Sequence, residues 1–194
     1  IPDSEISDIV KNVLARLNDS STPSDIPAKP SAAPAAQQVS SKKSVAIGSD
    51  HGGFELKETL KTYLSELGFN VIDCGCPNKN SVDYPDYAYA VAKHVANGSV
   101  WRGIMIDGAG IGSCMVGNKV PGVRAAMCYD YATAVNSREH NNANMLTLGA
   151  GLIGVNLAKQ IVKTWLETEY AGGRHQNRID KLLEIERKYL KTGS

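Results

Sequence analysis

Apolar residues recur along residues 3–18 at the spacing of an amphipathic helix. They fall at i, i+3, i+4, i+7, i+8 and i+11, as Ile6, Ile9, Val10, Val13, Leu14 and Leu17. The composition then changes abruptly, and residues 19–42 combine four of the eight prolines with many Ser, Ala and Gln residues. Such a stretch predicts a disordered or extended linker.

From residue 43 onward, short apolar runs alternate with segments of helical periodicity. We predict strands at 44–48, 70–73, 103–106, 123–128 and 145–148, and helices at 54–67, 84–96, 131–139, 155–168 and 179–190. Repeated strand–helix units with short links form a parallel sheet with helices on both faces. The predicted fold class is α/β, a three-layer αβα domain over residues 43–194 with a five-stranded, Rossmann-like sheet.

Composition narrows the function classes. The chain has 194 residues and a formal net charge of +1, which gives no general case for nucleic-acid or membrane binding. No apolar run is long enough to span a bilayer, and the acidic start does not resemble a secretory signal. The four cysteines are scattered, with Cys74 and Cys76 too close for an ordinary zinc knuckle. We therefore expect reduced thiols in a cytoplasmic protein.

The predicted third strand ends in a carboxylate followed by alternating glycines. Asp107 precedes Gly108, Gly110 and Gly112, and a helix is expected to begin there. Glycines let backbone N–H groups approach a ligand, and a helix N-terminus favours an anion. The alternative is a tight turn that needs glycine for steric reasons alone. The spacing matches neither a dinucleotide fingerprint nor a P-loop.

Other polar clusters follow or lie between the predicted elements. They are Asp50-His51 after the first strand, residues 137–142 between the fourth and fifth strands, and residues 172–178 after the helix at 155–168. Each has a structural alternative: Asp50 could cap a helix, and arginines at i, i+4 could form a solvated face. Taken together, two carboxylates, imidazoles and paired arginines suit proton transfer on a phosphorylated polyol.

Several segments resemble the type B ribose-5-phosphate isomerases and their galactose- and allose-phosphate relatives. They are Gly48-Ser-Asp50-His51-Gly-Gly, Asp83-Tyr84-Pro85, Gly108-Ala-Gly-Ile-Gly112, Asn118-Lys119, Gly122-Val-Arg124, His140-Asn141 and Gly172-Gly-Arg174-His175 with Arg178. The resemblance covers about residues 43–190. It implies an aldose–ketose isomerase that works through a cis-enediolate without metal or cofactor.

The resemblance also implies roles for individual residues. His140 would assist ring opening and, with Asp107 as the proton-moving base, would be catalytic. Residues implied to bind substrate are Asp50, His51, Tyr84, Gly108, Ala109, Gly110, Gly112, Ser113, Asn141, Arg174 and Arg178. Within this set, His51 and the two arginines would hold the phosphate. The family's site lies between subunits, so a homodimer or homotetramer is implied.

The chain departs from the family pattern at several positions. Many members have a Cys base where this chain has Asp107, and others use a Glu at the position of Ser113. Ala109 replaces a hydroxyl residue, and Gly151 replaces a frequent Arg. Two alternatives to ribose 5-phosphate therefore stay open: another four- to six-carbon sugar phosphate, or a non-catalytic subunit that binds sugar phosphate.

The predicted helix at residues 3–18 has no domain of its own to pack on. It could fold back on its domain, pair with its copy, or dock on another protein. Short amphipathic helices on Pro/Ala/Ser linkers resemble the encapsulation peptides that direct enzymes into bacterial microcompartments. A microcompartment shell or cargo protein is therefore an expected partner.

Overall fold

The computed structural model describes residues 43–190, which form an α/β domain with a five-stranded parallel sheet in the order β2-β1-β3-β5-β4. The strands are β1 (Ser44–Ser49), β2 (Asn70–Asp73), β3 (Arg102–Asp107), β4 (Ala125–Met127) and β5 (Met145–Gly149). The helices are α1 (Phe54–Glu66), α2 (Tyr84–Ala96), α3 (Ile111–Gly117), α4 (Tyr131–Glu139), α5 (Val155–Glu167) and α6 (Gln176–Tyr189), with a short 3-10 helix at Gly173–His175. The predicted fold class is confirmed.

Two apolar clusters hold the layers together, one on each face of the sheet. Alternate residues of β1 point to opposite faces, so Val45 and Ile47 join one cluster and Ala46 joins the other. The first cluster packs α1, α4 and α5 on the sheet and includes the fully buried Trp165; the second packs α2 against the opposite face. The central strand β3 is buried along its whole length, as expected for a parallel strand covered on both sides.

Two predicted boundaries differ from the observed ones by more than one residue. Strand β4 spans only Ala125–Met127, because Val123 and Arg124 belong to the turn after α3 and Cys128 leads out toward α4. The last helix begins at Gln176 rather than at residue 179, because the 3-10 turn of Gly173–His175 runs directly into it. The predicted helix at residues 3–18 and the linker at 19–42 lie outside the described residues.

The strand order reverses between β1 and β3. From β1 the chain goes to its neighbour β2 on one side, whereas from β3 it goes to the edge strand β4 on the other side and then back to β5. In open parallel sheets this switch point opens a crevice beyond the carboxyl ends of the two strands. The segments that follow β1 and β3 flank this crevice.

Candidate functional site

The segments after β1 and β3 touch each other at the carboxyl edge of the sheet. The amide of Asp50 donates to the Ile106 carbonyl, and a Cβ built on Gly52 would lie 3.7 Å from the Gly108 nitrogen. Asp50 is buried, and its Oδ1 accepts the amide of Gly53 at 3.0 Å. The Nδ1 atom of exposed His51 lies 3.2 Å from the backbone of Val82, just before α2.

Asp107 is buried, and its carboxylate faces the glycine loop that follows it. Oδ1 accepts the amides of Ala109, at 2.8 Å, and of Gly110, while Oδ2 accepts the amide of Ser113 at 3.1 Å and the Ser113 hydroxyl. A carboxylate offers about four lone-pair sites, and all four are used here. The loop therefore folds around the carboxylate, and these three amides point toward Asp107 rather than toward the crevice.

Two glycines of this loop are required by the packing around them. Gly110 has a φ of 81°, and a Cβ there would lie 2.9 Å from the Leu148 carbonyl carbon. A Cβ on Gly112 would lie 2.5 Å from the ring of Tyr84. Tyr84 thus lies directly against the loop. The amide of Gly108 donates to no protein acceptor among the described residues.

A second group of predicted site residues surrounds the turn after α4. The rings of His140 and His175 stack with centroids 4.2 Å apart and planes 9° apart. Arg178 Nη1 lies 3.4 Å from His175 Nδ1, and Arg174 is the residue before His175 in the chain. Burial, followed by repulsion from neighbouring basic groups, lowers the pKa of His175 below its ordinary value. The cluster combines imidazole and guanidinium donors suited to an anion.

Asn136 connects His140 with Asn141. Its Nδ2 lies 2.9 Å from His140 Nδ1, and its Oδ1 accepts the Asn141 side-chain amide at 3.1 Å. The same Asn141 amide also donates to the Asn136 carbonyl at 3.2 Å. Sequence reasoning missed Asn136 as a site residue, although its spacing of four from His140 on a helix could have identified it.

Two buried arginines hold the backbone beneath this cluster. Arg102, the first residue of β3, donates to the Trp165 and Leu166 carbonyls at the end of α5 at 2.6 and 3.0 Å. Arg138 donates to the Thr168 carbonyl at 3.3 Å and to Asn142 Oδ1 at 2.9 Å. Burial lowers the pKa of Arg102 to about 9. The two guanidinium groups supply donors to orphan carbonyls at the end of α5.

The two groups of site residues lie at opposite edges of the sheet within one chain. Helices α4 and α5 each return from the carboxyl edge to the amino edge, so the segments that follow them lie near the start of β3 and β5. At about 3.3 Å per residue, β3 alone separates the edges by roughly 17 Å. His140, Asn141, Arg174 and Arg178 are therefore brought together, but Asp50, His51, Tyr84 and Asp107 form a separate group.

Cys114, considered as a rival base, lies inside α3. Its Sγ points toward the Ala125 carbonyl at 3.5 Å. It lines an apolar groove of about 490 Å³ together with Ile111, Met115, Asn118, Lys119 and Met127. This contact is typical of a structural thiol. Among residues 43–190, no group of three or more His, Cys, Asp or Glu side chains is arranged to hold a metal ion. No helix in the same range is long and apolar enough to cross a bilayer.

The model of the Ribose/Galactose Isomerase family matches residues 45–182. The chain belongs to this family. It is 44% identical over 146 residues to ribose-5-phosphate isomerase B of Escherichia coli, covering 75% of this chain and 98% of that protein. It is 42% identical over 140 residues to D-erythrulose-4-phosphate isomerase of Pectobacterium atrosepticum, covering 72% and 92%. The structure of Clostridium thermocellum ribose-5-phosphate isomerase B superposes with a TM-score of 0.74 at 49% identity, covering 75% and 99%.

Proposed function

We propose that this chain interconverts the aldose and ketose forms of a phosphorylated sugar, with ribose 5-phosphate as the first candidate substrate. Family membership supports the reaction class, and named relatives act on ribose 5-phosphate and D-erythrulose 4-phosphate. The observation that carries the proposal is the stacked His140–His175 pair beside Arg178. It concentrates hydrogen-bond donors for a phosphate or sugar oxygen around one turn.

Arg174 and Arg178 are proposed to bind the phosphate. Replacing either with Ala should weaken binding of the phosphorylated sugar by about 1.5–3 kcal/mol, the range for hydrogen bonds to charged groups. The unphosphorylated sugar should lose little affinity. Titration calorimetry with ribose 5-phosphate and ribose compares the two, and an equal loss for both ligands would contradict the assignment.

Asp107 is proposed as the base that takes the C2 proton of the open-chain aldose and returns it to C1 through a cis-enediolate. Its hydrogen bonds set a condition, because one of the four must break before the carboxylate can accept a proton. The three backbone amides are fixed by the loop, whereas the Ser113 hydroxyl hydrogen can rotate away from the carboxylate. The amide of Gly108, which donates to no protein acceptor among the described residues, is proposed to stabilise the developing enediolate.

A test of the base uses solvent exchange in D2O. Asp107→Asn should abolish incorporation of deuterium at C2 while the protein still binds the sugar phosphate. The control is Cys114→Ala, which should exchange at the wild-type rate because this thiol contacts backbone away from the crevice. Wild-type exchange in Asp107→Asn, or complete loss in a folded Cys114→Ala protein, would place the base elsewhere.

The site is proposed to form between two copies of the chain. The base and the phosphate-binding cluster lie at opposite edges of one sheet, so neither edge carries the full set of groups. If the carboxyl edge of one copy meets the amino edge of the other, both groups face one substrate. Exposed apolar residues support such an interface: Ile111 is 50% exposed, Met115 is 64% exposed, and Ile185 on α6 is 58% exposed.

A tetrose phosphate is the second candidate substrate. The support is the 42% identity to D-erythrulose-4-phosphate isomerase, together with Ala109 and Gly151, which offer no side-chain hydrogen bonds to a longer sugar. Measuring kcat/KM on phosphorylated sugars of four, five and six carbons decides between the candidates. Absence of turnover and of proton exchange on the whole panel would favour a non-catalytic sugar-phosphate-binding subunit.

Residues 3–18 are proposed to direct the enzyme, within the cytoplasm, to a bacterial microcompartment. The support is the apolar stripe on a Pro-rich linker, in a segment that precedes the family match at residue 45. A fluorescent protein fused to residues 1–42 should collect in shells when expressed with microcompartment shell proteins. The same fusion carrying Ile9→Glu and Val13→Glu should stay diffuse; equal distribution of the two fusions would contradict the proposal.

A further inference from the structure

We propose that Asn136 is a positioning residue that fixes His140 as the neutral tautomer with its proton on Nε2. Asn136 lies one helical turn before His140, and its side chain lies between His140 and Asn141. The inference concerns how His140 meets the sugar, so its catalytic part rests on the proposed function.

The orientation of the Asn136 amide follows from Asn141. The Asn141 side-chain nitrogen donates to two oxygens of Asn136: the backbone carbonyl at 3.2 Å and Oδ1 at 3.1 Å. Rotating the Asn136 amide by 180° would bring two NH2 groups together and lose the second bond. Oδ1 of Asn136 therefore faces Asn141, and Nδ2 faces His140.

This orientation decides which nitrogen of His140 carries the proton. Asn136 Nδ2 is a donor 2.9 Å from His140 Nδ1, so Nδ1 must accept. A neutral imidazole has one donor and one acceptor nitrogen, which leaves the proton on Nε2. The stacked ring of His175 fixes the plane of His140, so the Nε2–H group has a defined direction.

The tautomer limits the chemistry of His140. Complete transfer of the proton from a neutral ring would leave an imidazolate, which is too unfavourable for an ordinary step. In this arrangement His140 therefore acts by donating a hydrogen bond to a sugar oxygen without losing its proton. An electrostatic donor of this kind stabilises the charge that develops on an oxygen when a sugar ring opens.

The test reads the tautomer directly. The full-length protein is labelled with 15N-histidine, and long-range proton–nitrogen NMR spectra distinguish the protonated ring nitrogen from the unprotonated one. The His140 signals are assigned by their loss in His140→Asn. Wild-type protein at pH 7.5 should show the proton on Nε2. Asn136→Asp should move it to Nδ1, because a carboxylate can only accept.

Two further variants connect the tautomer to turnover. Asn136→Leu introduces a good helix former and removes the donor, so His140 should show a mixture of tautomers. Its kcat on the cyclic sugar phosphate should fall about tenfold, less than the 10²–10³-fold cost of deleting a donor outright. Asn156→Leu, at an exposed asparagine of α5 away from the histidines, is the matched control and should change neither the His140 tautomer nor kcat.

Each outcome has a defined meaning. A wild-type His140 protonated on Nδ1 or on both nitrogens overturns the inference. So does an altered tautomer in Asn136→Leu with wild-type kcat, because the tautomer would then have no catalytic role. The expected tautomers in a protein that isomerises no sugar phosphate would support the positioning by Asn136 and overturn the proposed function instead.

Discussion

At the scale of single residues, the stacked imidazoles of His140 and His175 differ in their surroundings. His175 is 6% exposed and has Arg174 and Arg178 nearby, whereas His140 is partly exposed and bonded to Asn136. Burial and then neighbouring basic groups lower the pKa of His175 below 6.5. His175 is therefore neutral near neutral pH, which suits a ring that stacks on another imidazole rather than repelling it.

This lowered pKa makes stability depend on pH. Between the folded-state pKa of His175 and its ordinary value of 6.5, the unfolded chain binds more protons than the folded one. The free energy of unfolding should therefore fall as the pH falls below 6.5. Urea denaturation at pH 5.5 and 7.5 measures the change, which should be smaller in His175→Gln. An equal change in both proteins would show that other groups cause it.

Asp107 shows the limit of residue-level prediction from sequence. The strand ending in a carboxylate and the glycine turn after it were predicted, because burial and glycine patterning are local signals. The direction of the carboxylate was not, since it depends on how the loop folds back over the strand end. Only the structure shows that the amides of Ala109, Gly110 and Ser113 turn toward Asp107.

The hydrogen bond between Ser113 and Asp107 gives a second residue-level prediction. Ser113 is fully buried, and its hydroxyl is one of four donors to the carboxylate. Ser113→Ala should lower the free energy of unfolding by about 1.5–3 kcal/mol, as expected for a hydrogen bond to a charged group. Cys114→Ala, at the next position of α3, should lower it less. A Ser113→Ala protein as stable as wild type would mean that the hydroxyl bond is absent in solution.

At the scale of elements, one buried lysine joins helix α1 to strand β2. Lys57 is 1% exposed, and its ammonium lies 3.0 and 2.9 Å from the two carboxylate oxygens of Asp73. Although burial acts to raise it, hydrogen bonds from Lys61, Lys57 and the Gly75 amide lower the pKa of Asp73. The pair therefore attaches the outer strand of the sheet to the helix that covers it.

Removing the carboxylate of Asp73 should weaken the attachment of β2 to α1 and so lower the stability of the domain. Asp73→Asn leaves the buried Lys57 short of its main counter-charge, and we expect a loss of about 2 kcal/mol in the free energy of unfolding. This is below the 3–5 kcal/mol seen for fully buried pairs, because Asp73 is partly exposed and Glu58 remains close. Glu66→Gln, on the exposed end of α1, is the control and should stay within about 0.5 kcal/mol. If Asp73→Asn lowers the free energy of unfolding no more than Glu66→Gln does, the Lys57–Asp73 pair does not stabilise the contact between α1 and β2.

At the scale of the whole molecule, the sequence predicted the layers better than the position of the site. Strand and helix periodicities are local, so all five strands and the helices over residues 43–190 were found, with errors at the ends of β4 and α6. The edge at which His140 lies depends on the direction in which α4 crosses the sheet. In a parallel sheet each helix returns the chain to the amino edge, so the place of His140 directly after α4 could have shown that it lies opposite Asp107.

The extension and the family domain should be separable. The family match begins at residue 45, and Escherichia coli ribose-5-phosphate isomerase B is covered to 98% of its length by 75% of this chain. Deleting residues 1–42 should therefore leave thermal stability and turnover nearly unchanged. Calorimetry and an isomerase assay on both proteins check this, and precipitation or loss of most activity would show that the first 42 residues support the domain.

A mixing experiment tests whether two copies share one site. Asp107→Asn disables the carboxyl edge of a chain, and Arg178→Ala disables its amino edge, so each variant alone should have little activity. In a heterodimer with two-fold symmetry, one site combines both mutations, while the other combines an intact Asp107 with an intact Arg178. After unfolding and refolding an equimolar mixture, roughly a quarter of wild-type activity should return if the chains pair at random in a two-fold dimer. If each site were formed within one chain, mixing would restore no activity, because every chain would still carry a mutation in its own site.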